Sequence, residues 1–469
     1  MRKVVRIIRA KFDSAQTTAD NRRHWANADG LSADAAASSE VRRTLRNRAR
    51  YEVANNSYAR GIVLTLANDV IGTGPRLQML LDDGNDEGIN GIIEREFMAW
   101  AKDIDLPGKL RTMRMARAQD GEAFALLFSN DNLNSPVKLD IRLIEADQVT
   151  APLGMFQKAN VVDGIVFDAF GNPAAYHVLK NHPGSGIGLG SLEYQTIPAA
   201  SMIHYFRSDR PGQRRGLPDI LPALPLFAQL RRYTLAVIAA AESAANVAIF
   251  MKTTTPAGGE AAEVEPMTEM EFSPNMAIFG PEGWEPTQIK AEQPSTTYDM
   301  FKREILNEIA RCLNMPYNIA ACNSSGYNYA SGRLDHQTYF KNIRVEQSHI
   351  ESVVLDRILE AWLAEAVKVY PELSRLGASL ATAERSEAGH QWFWDGHEHV
   401  DPLKEASAQA TRLSSNTTTL ASEYARAGKD WETELRQRAK EVALMKELGL
   451  SLQQESPKQQ VTEDRQDEE

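Results

Sequence analysis

Cysteine is scarce in this sequence, and its scarcity excludes two kinds of architecture. The chain of 469 residues contains two cysteines, Cys312 and Cys322. Two cysteines cannot build a disulfide framework, and these two do not form the paired spacing of a structural zinc site. We therefore predict a protein that folds in a reducing cytoplasm, without a disulfide scaffold and without a cysteine-bound metal.

Long apolar runs are missing as well. The most hydrophobic stretch, residues 235–251, contains Glu242, Ser243 and Asn246, whereas a membrane-spanning helix needs about 20 predominantly apolar residues. Within residues 1–11, repeated arginines and lysines interrupt the apolar residues too often for the core of a signal peptide. We expect neither a membrane segment nor a signal peptide.

A phosphate loop for nucleotide hydrolysis is a third absence. Residues 184–190 are rich in glycine, but no Lys-Ser or Lys-Thr pair follows them, so we interpret them as a flexible turn. Positive charge is also short, since 52 Lys and Arg face 63 Asp and Glu, for a net charge of −11. Because a protein that grips nucleic acid needs a basic surface, the composition argues against tight nucleic-acid binding. It is compatible with a surface along which DNA slides.

The periodicity of the apolar residues indicates an α+β protein that is rich in helix. Apolar residues recur at helical spacing in some segments and alternate in shorter ones. The helical segments are residues 34–71, as one helix or a pair, then 89–101, 109–118 and 219–248; the strand-like segments are 122–128, 139–145, 165–168 and 174–179. His204 lies in a further apolar strand, where we expect a hydrogen-bonded structural histidine. Trp392 and its aromatic neighbours are expected in the core or at a subunit contact.

A helix, a short polar loop and a second long helix make up residues 294–370. The first helix opens at hydroxyl side chains that can cap it and stops near Pro316. The second helix is predicted to begin near Ser331 or Gly332. The loop "NSSGYNYASGR" at residues 323–333 contains two glycines and small polar residues, and its two tyrosines are too large to be filler. One interpretation of this loop is a plain helix–helix connection.

Five arginines cluster in the first half of the segment at residues 34–71, namely Arg42, Arg43, Arg46, Arg48 and Arg50. Arginines so placed can bind phosphate, form a solvated helix face or pair with acidic residues of another subunit. The last two uses are favoured, because charged runs on helices are usually solvated or paired.

Several phrases of the sequence resemble the portal proteins of tailed bacteriophages, in the lambda-like portal family. They include "FKREILNEIARCLNMPYNI" followed by "YNYASGR" in residues 301–333, and the arginine-rich entry within residues 34–71. Others are "RLIEADQV", "DAFGNPAAYHVL" and "IPAASMIHYFRSDRPGQRRGLP", of which "RPGQRRG" is the most specific. The resemblance covers about residues 41–450, although the C-terminal region is short beside the longer members.

This resemblance implies a helix-rich α+β portal fold with a wing, a stem, a clip and a C-terminal helical crown. The boundaries that it suggests are a flexible N-terminal arm at 1–33, the wing at 34–218, a first stem helix at 219–248, the clip at 249–293, a second stem helix at 294–316, a tunnel loop at 317–332, a wing helix and linker at 333–395, the crown at 396–452 and a disordered acidic tail at 453–469.

The resemblance also implies a function. A portal protein is not an enzyme and carries no cofactor; it forms a ring, here expected to be dodecameric, at one capsid vertex of the virion. Double-stranded DNA is packaged and ejected through the ring, which is assembled in the host cytoplasm. The implied partners are further copies of the chain, the terminase large subunit, a head–tail adaptor and the major capsid protein. The tunnel-loop residues expected to meet DNA are Asn323, Ser324, Ser325, Tyr327, Asn328 and Tyr329, with Arg333 at the base.

A metal-dependent hydrolase is the alternative from a different class. His397, His399 and Asp401 lie close together in sequence and offer three ligand types that zinc accepts. Three such residues in one short loop beside Pro402 more often form a hydrogen-bonded turn. Purified protein that forms rings and lacks metal would separate the two hypotheses.

Overall fold

The computed structural model describes residues 13–81, 88–151, 160–185, 193–246, 250–253, 284–287, 297–373, 389–396 and 402–450. The chain forms two compact units. One consists of Met1–Val70, Gly108–Asp131 and Leu139–Ala361, and the other of Ile71–Pro107, Asn132–Lys138 and Trp362–Glu469. Most of the predicted clip, the linker at 376–387, the trio His397, His399 and Asp401, and the acidic tail lie outside the described residues.

The described helices and strands come in separate runs along the chain, as in an α+β protein. The helices are α1 (Asn21–His24), α2 (Ala33–Ala36), α3 (Ser39–Asn55), α4 (Ser57–Ile71), α5 (Ile89–Asp103), α6 (Leu106–Asp120), α7 (Leu224–Asn246), α8 (Thr297–Arg311), α9 (Tyr317–Ala320), α10 (Tyr329–Ile350), α11 (Asp356–Val369), α12 (Pro402–Ser414), α13 (Leu420–Arg426) and α14 (Trp431–Glu447). The strands are β1 (Arg76–Met79), β2 (Glu122–Ser129), β3 (Leu139–Ile144), β4 (Val161–Val162), β5 (Ile165–Phe167), β6 (Pro173–Leu179), β7 (Tyr194–Pro198), β8 (Met202–Phe206), β9 (Phe250–Thr253), β10 (Trp284–Thr287) and β11 (His390–Phe393).

Of the single helix or helix pair predicted at residues 34–71, the structure has the pair, α3 and α4. Asn56 separates them with an extended backbone, and its side-chain oxygen accepts a hydrogen bond from the backbone N–H of Tyr58 at 3.1 Å. This bond satisfies one of the donors that a helix N-terminus leaves unpaired. The chain leaves α4 through Gly72, whose φ of 57° is a conformation that glycine adopts without strain.

Two antiparallel sheets form the core of the first unit. Strand β2 lies between β3 and β8, and β4 to β7 form a four-stranded meander. Phe124 of β2, Tyr176 of β6 and Met202 of β8 are buried in one apolar cluster together with Ile165 and Ile197. The alternation that predicted strands at 122–128, 139–145, 165–168 and 174–179 is confirmed to within a residue or two at each end.

Residues 317–332 are not one continuous loop, which corrects the predicted boundaries. Tyr317–Ala320 form the short helix α9, and α10 begins at Tyr329 rather than near Ser331. The physical reason is a cap, because the side chain of Asn328 accepts a hydrogen bond from the backbone N–H of Ser331 at 2.8 Å. The connection between α9 and α10 is therefore residues 321–328, and we call it the α9–α10 loop.

After α10 the chain continues through a π-helical turn at Glu351–Leu355 into α11. The second long helix predicted from the sequence thus ends, as expected, just before Tyr370. Helix α7 begins at Leu224 rather than at residue 219 as predicted, after a 3-10 turn at Leu221–Ala223 that contains Pro222. Pro225 lies in the first turn of α7, where the missing N–H costs no intrahelical bond.

The second unit has a core of aromatic side chains. Trp362 of α11 makes an edge contact with Phe97 of α5, their ring centroids lying 5.4 Å apart, and Phe97 also contacts Trp392 of β11. Strands β1 and β11 pair antiparallel beside them. Trp392 and Phe393 are both buried, so the prediction of a core role is confirmed. Helix α14 has no buried residue. In the described part of the chain, no helix is long and apolar enough to cross a bilayer.

Candidate functional site

The α9–α10 loop is held in shape by turns that its small residues permit. Cys322 and Gly326 have φ values of 50° and 84°, in the left-handed region that short polar loops use. The backbone N–H of Ser325 donates to Oδ1 of Asn323 at 2.9 Å, and that of Tyr327 donates to the carbonyl of Ser324 at 3.2 Å. Two successive turns therefore shape the loop before Asn328 caps α10.

The loop displays neutral polar groups to solvent. Asn323, Ser324, Ser325 and Asn328 are exposed, and none of them carries a charge. Arg333 is also exposed, one turn into α10, and no described carboxylate forms an ion pair with it. Hydroxyl and amide groups can bond to phosphate oxygens without holding them as a fixed positive charge would.

Tyr327 is more enclosed than its neighbours. A Cβ atom placed on Gly332 would lie 3.7 Å from Cδ1 of Tyr327, so the tyrosine ring packs against the first turns of α10. Burial, followed by the nearby carboxylate of Asp335, raises the pKa of Tyr327. Tyr329 lies in the first turn of α10 rather than in the loop. The sequence placed both tyrosines in the loop, whereas the structure places only Tyr327 there, leaning on the helix.

A hydrogen bond that the sequence did not suggest anchors the base of the loop. The side chain of the buried Asn318 in α9 lies 2.8 Å from Nε2 of His336 in α10. The carbonyl of Asn318 also accepts a bond from the backbone N–H of Asn323 at 3.0 Å. One residue thus fixes both ends of the connection, which limits how far the loop can move.

The arginine cluster of α3 divides into an inner and an outer group. Arg42 and Arg46 are buried, at 2% and 5% exposure, whereas Arg43 and Arg48 are exposed. Arg42 pairs with Asp163, Arg46 pairs with Asp147 at 3.1 Å, and Arg50 pairs with Asp120 at 2.6 Å.

Neither of the two uses favoured for the whole cluster holds for Arg42 and Arg46. Their partners are carboxylates of the same chain, and a buried charge needs such a partner. A contact with another subunit or with phosphate stays a prediction for the exposed Arg43 and Arg48.

The phrase "RPGQRRG" supplies the centre of the same charge network. The guanidinium of Arg215 is buried and donates to Glu122 from Nε at 2.9 Å and from Nη2 at 2.7 Å. Glu122 also lies 3.0 Å from Nε2 of His204 and accepts from the backbone N–H of Gly216 at 3.1 Å. Burial by itself raises the pKa of Glu122, but the charge of Arg215 and the bonds from His204 and Arg215 hold that pKa well below its usual value.

Glycine is required where the segment that carries Arg215 approaches the start of β2. A Cβ atom on Gly216 would lie 2.0 Å from the carbonyl oxygen of Gly121, which is closer than any real contact. Gly121 itself has a φ of 92°. The phrase therefore has a structural role, because it brings Arg215 against β2. His204 has the hydrogen-bonded structural role that the sequence predicted.

One cluster has the composition of a metal site. Glu145, Asp147 and His182 each offer a ligand atom within 4.8 Å of the others. A guanidinium already occupies the space between the carboxylates, since Nη1 of Arg50 lies 2.8 Å from Asp147 and Nη2 lies 3.2 Å from Glu145. These ion pairs supply the positive charge that a metal would bring, so the cluster is better explained as part of the arginine network.

A cavity of about 420 Å³ lies between α6, the end of α8 and α10. Its charged groups are paired, with Arg114 against Asp219 at 3.0 Å and Arg117 against Glu346. The thiol of Cys312 also lines it, and burial raises the pKa of that thiol to about 11. A thiol with so high a pKa is protonated near neutral pH and is a poor nucleophile. Cys312 is therefore not an activated nucleophile in this cavity.

Residues 19–347 match the family model described as phage portal protein, lambda family. This chain belongs to the lambda family of phage portal proteins. The matched range contains the arginine cluster, both sheets of the first unit, the Arg215 phrase, α7, α8 and the α9–α10 loop. The expected fold class, a helix-rich α+β portal fold, is confirmed.

The chain is also similar to individual known proteins. A probable portal protein of Halomonas phage phiHAP-1 is 26% identical over 434 residues, which cover 87% of this chain and 81% of the relative. A chain from the neck of an empty GTA particle is 12% identical, with 81% of this chain and 92% of that chain covered, at a TM-score of 0.45.

The crystal structure of an HK97 family phage portal protein from Corynebacterium diphtheriae is 11% identical, with 76% of this chain and 96% of that chain covered, at a TM-score of 0.29. Scores this low add nothing to the family assignment. The hydrolase alternative finds no support in the family match, and His397, His399 and Asp401 lie outside the described residues.

Proposed function

We propose that this portal protein assembles into a closed, dodecameric ring at one vertex of a phage capsid, where it forms the channel through which double-stranded DNA is packaged and later ejected. The observation that carries the proposal is the family match, which runs without interruption through the sheets, α7, α8 and the α9–α10 loop. The protein is a structural component of the virion rather than an enzyme, and it is assembled in the host cytoplasm.

The α9–α10 loop faces the DNA in this proposal. Its exposed residues offer amide and hydroxyl groups, and the chain as a whole carries a net charge of −11. A neutral tip on an acidic protein makes contacts with phosphates that are weak and reversible, since the fixed cations that release counterions are missing there. Arg333 at the base of the loop is the exception.

The proposed partners divide among the regions of the chain. The segment at 249–293 docks the terminase large subunit, which supplies the ATPase, and afterwards the head–tail adaptor. The major capsid protein surrounds the ring. Arg43 and Arg48, exposed on α3, contact a neighbouring subunit or a phosphate.

Negative-stain electron microscopy of the purified full-length protein tests the proposal directly. We expect closed rings with a central channel in views along the particle axis. Light scattering that shows only monomers, both at high protein concentration and with capsid scaffold present, would overturn it.

A further inference from the structure

Helix α7 carries apolar side chains that are exposed in the described part of the chain. Leu235 and Ile238 are 58% and 48% exposed, and Ala239 beside them is exposed as well. Residues three and four positions apart lie on one face of a helix, so these three form a continuous stripe. Arg232 is exposed at the edge of that stripe, one turn earlier.

Helix α8 carries a second stripe of opposite charge. Met300 and Phe301 are 60% and 48% exposed. Glu304 and Glu308 follow on the same face and are exposed too. The α7 stripe therefore combines apolar residues with an arginine, and the α8 stripe combines apolar residues with two glutamates.

The two stripes lie at the same height along the helix pair. Tyr233 of α7 packs on Phe301 of α8 with ring centroids 4.8 Å apart, and Asp219 before α7 lines the same cavity as Cys312 after α8. The helices therefore run antiparallel. With a rise of about 1.5 Å per residue, Arg232 lies roughly one turn or less from the height of Glu304.

The charges of the stripes form no ion pair with any carboxylate or base in the described part of the chain. In the part of the chain that the structure describes, Arg232, Glu304 and Glu308 form no ion pair, although other exposed charges on these helices do, such as Asp299 with Arg303 at 3.9 Å. Exposed apolar patches rimmed by charge are typical of protein interfaces. Two different patches that complement each other on one molecule produce a head-to-tail contact, and such contacts close into rings when the rotation allows.

We propose that the α7 stripe of one copy packs against the α8 stripe of the next copy, with Leu235 and Ile238 against Met300 and Arg232 paired with Glu304. The occupant of each stripe is thus a second copy of this chain. The inference rests on the proposed ring and adds the residues that join its subunits.

Charge reversal tests the pairing in the full-length protein. Arg232→Glu and Glu304→Arg each place like charges at every junction, and we expect either to raise the concentration at half-assembly by about five- to tenfold. The double variant, which reverses the pair, should recover to within about twofold of the parent. Lys102→Glu, an equivalent change on the exposed side of α5, is the matched control and should not alter assembly. Mass photometry measures the distribution of species, and circular dichroism checks folding.

Cysteine cross-linking distinguishes failure of this interface from failure of the ring. In a Cys322→Ser background, the pair Leu235→Cys and Met300→Cys, which lie within about one residue of the same height, should oxidise to a ladder of covalent multimers beyond the dimer, as a head-to-tail contact produces. Rings that form without a ladder, and that tolerate both charge reversals, overturn the interface and leave the ring in place. A ladder that stops at the dimer assigns these stripes to a two-fold contact and also overturns it. A parent protein that stays monomeric, with no ladder, overturns the interface and the ring together.

Discussion

Glu122→Gln is the change that best tests the buried network, because Glu122 has no exposed surface to relieve it. Its carboxylate accepts hydrogen bonds from Arg215 and from the backbone N–H of Gly216, and it lies 3.0 Å from His204. Glutamine has nearly the same shape but carries no charge. Its NH₂ group would face the N–H donors of Arg215 or Gly216 and could not accept a hydrogen bond from them. The buried guanidinium of Arg215 would then lack its principal counter-charge.

The expected loss of stability follows from this burial. Removing one partner of a buried ion pair leaves an uncompensated charge and costs about 3–5 kcal/mol. The matched control is Glu145→Gln, because the Glu145 side chain is 57% exposed and pairs with Arg50 at 3.2 Å. An exposed pair is worth about 0–1 kcal/mol. The inner carboxylate should therefore matter several times more than the outer one.

Hydrogen exchange followed by mass spectrometry is the suitable assay, since a chain with two units need not unfold in one step. Peptides covering β2 and β3 report the free energy of opening around Glu122. The pKa of Glu122 is depressed in the folded protein, so its stabilisation is complete above the unfolded pKa of about 4.3 and is lost as the pH falls towards the folded pKa. The difference between parent and variant should shrink below about pH 4. Equal effects of the two variants, or a difference that does not depend on pH in this range, would refute the assigned role of the network.

Three further predictions concern the loop, the clip region and the second unit. Changing Tyr327 and Tyr329 together to alanine should leave ring assembly intact and reduce packaging or retention of DNA in a nuclease-protection assay; unchanged packaging and retention would make the loop a plain connector. Deleting residues 256–275 should leave a folded, ring-forming protein that fails to capture the terminase large subunit in a pull-down, whereas aggregation would show that the segment belongs to the core. Burial and the negative charge of Asp430 raise the pKa of Glu94 to about 7, although a hydrogen bond from the backbone N–H of Met79 opposes them. The free energy of unfolding that the neutral carboxyl contributes is therefore lost as the pH rises through 7. Glu94→Gln should therefore gain thermal stability over the parent at pH 8 and match it near pH 4; the same difference at both pH values would contradict this pKa.

The spacing of apolar residues predicted the helices and strands that bury one face. Helices α3 to α6 and strands β2, β3, β5 and β6 lie close to where alternating or helical spacing placed them. The start of α10 was missed by two residues, because the cap at Asn328 is followed by Tyr329, a residue that also suits a loop. A capping asparagine and a loop asparagine have the same one-letter pattern, and only the bond to Ser331 distinguishes them.

The arginines of α3 show a different limit of sequence reasoning. Arg42 and Arg46 stand four residues apart, as do Arg46 and Arg50, so the helical spacing itself marked one face. Whether that face is exposed or buried depends on which carboxylates from distant parts of the chain pack against it. Asp163 pairs with Arg42 from 121 residues away, and no local pattern could have announced it.

The most specific phrases of the family match serve different purposes in this structure. The "RPGQRRG" phrase and the arginines of α3 converge on one buried network around Glu122, so resemblance there reflects how the first unit is held together. The "YNYASGR" phrase lies at an exposed loop and the capped start of α10, where few internal contacts constrain the residue types. Resemblance in the first phrase is therefore explained by the fold, whereas resemblance in the second bears on the proposed contact with DNA. A chain altered only at Tyr327 and Tyr329 keeps the buried network around Glu122. Because Tyr327 packs against the first turns of α10, its packaging reports on function once circular dichroism and ring assembly match those of the parent.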